Sequence, residues 1–81
     1  MSIEEVKQKV REFLIEEFEI DEEKIYDDAR LKEDVGIDSL DYVDIVVVVK
    51  RKFGFKIGQG ELTDIKTLGQ FYEYISSKVE G

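Results

Sequence analysis

The sequence predicts an all-α fold with three long helices and one short one. Three observations predict it. Apolar residues recur at helical spacing near both ends of the chain. Each of those runs opens on a capping pair, Ser2 with Glu5 and Thr67 with Gln70, in which side chains satisfy the free backbone N–H groups of a helix start. Between them, Asp38 and Ser39 precede a long apolar run, and both residue types cap helices. The 81 residues make one domain, residues 1–81, barely large enough to bury a core without staples.

The first helix covers roughly residues 2–17. Ile3, Val6, Val10, Phe13, Leu14 and Phe18 recur along one face, and Lys, Glu, Gln and Arg fill the rest. That pattern is structural and suggests no chemistry. Residues 19–38 form a long connection, which a compact domain tolerates only if it is tied down. Ile20, Ile25, Leu31, Val35 and Ile37 are spaced to staple it to the core, and Asp21 is placed to cap one helical turn over residues 21–24. Its acidic cluster, Asp21, Glu22, Glu23, Asp27 and Asp28, lacks the ligand spacing and central glycine of a calcium loop, so no defined metal site is expected.

Residues 39–53 are ambiguous on propensity. Ile45 and the four valines 46–49 are β-branched throughout and read as a buried strand. Asp38 and Ser39 at the start argue for a helix, as does the fall of Leu40, Val43, Val46 or Val47, and Phe53 near one helical face. Lys50, Arg51 and Lys52 suit the negative end of a helix dipole, and Gly54 suits a left-handed C-terminal stop. Phe53 and Ile57 then anchor the exit, with Phe55 partly exposed. Gly58 and Gly60 loosen the backbone, leaving a single short turn over 61–65. A last helix runs over 67–79, with Leu68, Phe71, Tyr72, Ile75 and Val79 inward and the hydroxyls of Tyr72 and Tyr74 at the wet rim.

Composition excludes much. With no Cys and no His, thiolate metal sites, thiol nucleophiles, Ser-His triads and the usual general base are absent, and an enzyme is not expected. Twenty acidic against twelve basic residues give a net charge of −8, which repels nucleic acid and favours basic protein surfaces. The charge is uneven. Residues 1–44 hold sixteen acids and six bases, and residues 45–81 hold four acids and six bases. No apolar run approaches the roughly 20 residues of a membrane span. The start lacks the basic and apolar regions of a signal peptide, so a cytoplasmic location is expected; the chain is also expected to be a monomer.

The stretch Gly36-Ile37-Asp38-Ser39-Leu40-Asp41 concentrates the remaining signal. Taken alone, Ser39 could simply be a helix cap. Its setting also suits a phosphate ester, because a phosphate there would meet the positive end of a helix dipole. Gly-x-Asp-Ser-Leu-Asp, in a small acidic chain and followed by an apolar helix, resembles the attachment site of acyl carrier proteins. The likeness extends over nearly the whole chain.

That resemblance implies a small antiparallel four-helix bundle and makes residues 39–53 its second helix. It implies that Ser39 carries 4′-phosphopantetheine, installed from coenzyme A by a phosphopantetheinyl transferase, with Asp38 helping to hold magnesium and the transferase. Acyl-loading and acyl-processing enzymes of fatty-acid, lipid or polyketide synthesis become the partners. Leu40, Asp41 and Asp44 are then candidates to meet them, and Val43, Val46 and Val47 to line a pocket for the acyl chain. Family members of general fatty-acid synthesis continue acidic residues down this helix. Here Lys50, Arg51 and Lys52 reverse the sign, which changes the partners that can dock and points to a specialised carrier, with Lys50 and Arg51 as partner contacts. A peptidyl or D-alanyl carrier shares the same features, and a small helical adaptor without an arm is the alternative from a different class.

Overall fold

The computed structural model describes residues 2–80, apart from the side chains of Ser39, Gln59 and Glu80. Four α-helices follow in order: α1 (Ile3–Phe18), α2 (Ser39–Phe53), α3 (Gln59–Asp64) and α4 (Leu68–Glu80). A 3-10 turn at Glu22–Lys24 and a π turn at Leu31–Val35 interrupt the long connection. No strand is present among the described residues, so the β-branched run does adopt the helical state. The bundle packs α1 on α4 and α2 on α3.

Local chemistry explains the boundaries. The Glu5 N–H donates to Ser2 Oγ at the head of α1. At the head of α4 the capping pair closes both ways: the Gln70 N–H donates to Thr67 Oγ1, and the Thr67 N–H donates to Gln70 Oε1. Gly54 ends α2 with φ at 82°, and its N–H donates to the Lys50 carbonyl. Val6, Val10, Phe13 and Leu14 from α1 meet Ile45, Val48 and Val49 from α2 and Leu68, Phe71 and Ile75 from α4 in one core.

The connection between α1 and α2 is pinned from two sides. Ile25, Ala29, Leu31, Val35 and Ile37 are all buried. Its backbone also pairs with the start of α4 around an isolated antiparallel bridge between Arg30 and Thr67. The Leu31 N–H donates to the Lys66 carbonyl, the Leu68 N–H to Ala29 and the Gly69 N–H to Asp27. Gly69 permits this approach, since a Cβ there would lie 3.1 Å from the Asp27 carbonyl oxygen.

Three expectations need correction, and a fourth holds in part. Tyr72 is 2 % exposed, so its ring lies in the core with the inward face of α4, while its hydroxyl keeps some access to water. Burial, with the negative charge of Asp27 behind it, pushes its phenol up to about 12. Ile3 shares the inward face of α1 but sits in the terminal turn and is exposed. Asp21 caps its turn through its carbonyl, which accepts the Lys24 N–H, and makes no side-chain cap bond. The short helix α3 begins two residues earlier than expected, because Gly58 takes the extended conformation of an N-cap and Gly60 is helical.

Candidate functional site

The head of α2 is built by the residues before it. The π turn places Leu31 and Val35 in the core, and Gly36 reverses the chain at φ 89°. The Ile37 N–H then donates to the Leu31 carbonyl at 2.8 Å while its side chain is buried. Asp34 Oδ2 accepts the Arg30 N–H, and Arg30 pairs with Glu33. The hydrogen bond from the Arg30 guanidinium to Glu33, with the charges of Glu33 and Asp34, holds the guanidinium pKa above its ordinary value.

Asp38 is the N-cap. Its Oδ1 accepts the N–H groups of Leu40 at 2.9 Å and Asp41 at 3.2 Å. Asp41 returns the bond, its Oδ2 accepting the Asp38 N–H at 3.2 Å. This capping box satisfies the helix start without drawing on position 39. Ser39 is the first residue of α2; its hydroxyl lies outside the described residues. Its neighbours Asp38 and Leu40 are both exposed. The setting fits a covalent phosphodiester. The backbone is fixed from both sides, the flanks are open, and among the described residues Asp38 Oδ2 has no partner.

Farther down, α2 divides by angle. At about 100° per residue, Leu40, Val43, Asp44, Val47, Lys50 and Arg51 fall within an arc of about 120°. All six are exposed, with Leu40 at 79 %, Val43 at 49 % and Val47 at 58 %. Tyr42, Ile45, Val48 and Val49 point the other way and are buried. Of the three valines suggested for an acyl pocket, only Val46 packs against the core, while Val43 and Val47 stand on the solvent side. A cleft of about 160 Å³ does open beside α2, but Tyr42 is its α2 wall, facing Leu31, Thr63, Ile65 and Lys66. Burial raises the Tyr42 phenol pKa.

The two basic candidates also part company. Arg51 Nη2 pairs with Glu17 Oε1 of α1 at 2.5 Å, while Lys50 has no ion-pair partner among the described residues. Sequence reasoning missed three contributors: Asp41 as the reciprocal cap, Tyr42 as the cleft wall and Glu17 as the partner of Arg51. Only the first had a local signal, an acid three residues after Asp38.

Comparison with known proteins agrees with this arrangement. A family described as the phosphopantetheine attachment site matches residues 8–75. The acyl carrier protein of Thermotoga maritima is 37 % identical over 78 residues, covering 96 % of each chain. The family's cofactor is covalent 4′-phosphopantetheine, and its members are carriers rather than enzymes. No helix among the described residues is long and apolar enough to cross a membrane. From the helical bundle, the capped head of α2 and these two matches together, the chain belongs to the acyl carrier protein family.

Proposed function

We propose that residues 1–81 act as one specialised carrier unit, holding acyl groups on an arm joined to Ser39. The observation that carries this reading is the position of Ser39. It opens α2 directly behind an aspartate that already supplies the cap, so a serine there is not needed for the helix. In the reaction with a phosphopantetheinyl transferase, the Ser39 hydroxyl attacks the phosphorus of coenzyme A that bears pantetheine. The new O–P bond replaces the one to adenosine 3′,5′-bisphosphate, and the hydroxyl proton leaves to a base of the transferase. Asp38, which uses only Oδ1 in the cap, would help hold magnesium for that step, a hard cation suited to carboxylate and phosphate ligands. The arm, once bound, supplies a terminal thiol for a thioester, which a chain without cysteine lacks.

The chain's own part is then to present. The exposed Leu40 beside the attachment point is an anchor for partners, and Asp44 steers them by charge. Asp41 acts mainly through the cap. The specialised character rests on the basic lower end of α2. Intact mass after incubation with coenzyme A, magnesium and a promiscuous phosphopantetheinyl transferase tests the proposal. The parent should gain one phosphopantetheine and Ser39→Ala none. A folded parent that gains nothing would favour the adaptor reading.

A further inference from the structure

On the face of α2 that the carrier reading already gives to partners, we infer that Lys50 is met by a carboxylate of the partner enzyme, so that this partner's docking surface is of mixed charge rather than basic throughout. The inference rests on the carrier reading above. Three apolar side chains, Leu40, Val43 and Val47, stand in water on one arc although the opposite face of the same helix already fills the core. The stripe is therefore not explained by folding. Its charges are ordered. Asp44 flanks it toward the head and Lys50 toward the tail, six residues or about 9 Å apart along the axis. Arg51 is taken up by Glu17, which leaves Lys50 as the cation on this arc available to a partner. A surface that is basic throughout would meet Asp44 well and Lys50 badly.

A second copy of the chain is the other occupant this pattern allows. Antiparallel pairing about Val47 would set Asp44 of each chain opposite Lys50 of the other. A stable interface buries about 800 Å² per partner, about a sixth of this molecule's 5069 Å². Six residues of one helix fall well short of that. Two chains of net charge −8 also repel. A larger enzyme, reaching past α2 and carrying basic residues near the head, meets both objections.

The test uses acylated holo-protein and a general fatty-acid ketosynthase whose carrier-docking face is basic. Arm loading is first confirmed by mass, so failure to load overturns the carrier reading itself and this inference with it. With loaded protein, Lys50→Glu should raise kcat/KM for acyl transfer about 3- to 10-fold, and Lys50→Gln should raise it less. Changing the facing ketosynthase lysine to glutamate should reverse that order, favouring the parent over Lys50→Glu. Unchanged or slower transfer by Lys50→Glu, with its melting curve intact, would overturn the role of Lys50. A concentration-dependent dimer in sedimentation, lost in Lys50→Glu, would overturn the enzyme partner in favour of a second copy.

Discussion

The connection between α1 and α2 hides its apolar residues, and α2 displays its own. The connection is polar and strongly acidic, yet Ile25, Ala29, Leu31, Val35 and Ile37 are all buried. The helix is among the most apolar stretches of the chain, yet Leu40, Val43 and Val47 are half to four-fifths exposed. Burial thus follows placement rather than segment hydropathy. The connection uses each apolar residue as an anchor because it has few and must be held. The helix has more than the core can take and turns the surplus outward beside Ser39. Stability and recognition are in this way assigned to different segments that meet at position 38.

The contrast breaks if truncations on the two segments cost alike. Leu31→Ala should lose about 2–5 kcal/mol, the range for emptying a buried leucine site, while Val47→Ala should stay within about 0.5 kcal/mol, as at ordinary surface positions. Urea denaturation of both variants gives the comparison directly. Equal losses would mean that the outward face of α2 is needed for the fold.

Alkaline pH sharpens it further, because Tyr72 lies beside Asp27 of the connection. Its ordinary phenol value of 10 rises to about 12 in the folded state, through burial first and Asp27 second. The folded protein therefore holds the proton more tightly than the unfolded chain. The contribution is complete below pH 10 and is lost as pH climbs from 10 toward 12. Tyr72→Phe should flatten that decline relative to the parent. A smaller effect is expected at Gly36, whose φ of 89° disfavours any side chain. Gly36→Ala should cost about 1–2 kcal/mol in the same denaturation experiment.

The residues show why some of this was legible in the sequence and some was not. Ser2 and the pair Thr67 and Gln70 announced their helices because capping is a local interaction between residues three apart. Asp38 favoured a helix at α2 for the same reason, and the resemblance to the acyl carrier family decided it against the strand propensity of Ile45 and the valines. The rotation of α2 was less legible. The continuous β-branched run of Ile45 and valines 46–49 has no polar position within it to mark the outer face, so Val47 could be read as inward. The tie between the connection and α4 runs through backbone groups of Asp27, Ala29 and Lys66, which leave no side-chain signature. The depth at which the Tyr72 ring is buried was not legible, because the connection that reaches it at Asp27 is remote in sequence.

The central claim is that Ser39 bears the arm, and peptide mapping of the transferase-treated protein tests it most directly. Trypsin cuts after Lys32 and Lys50, and the peptide covering residues 33–50 contains one serine, Ser39. The account predicts that phosphopantetheine is found on this peptide, with fragment ions placing it on Ser39. An arm on Ser2, Ser76 or Ser77, or none on a folded chain, would contradict it.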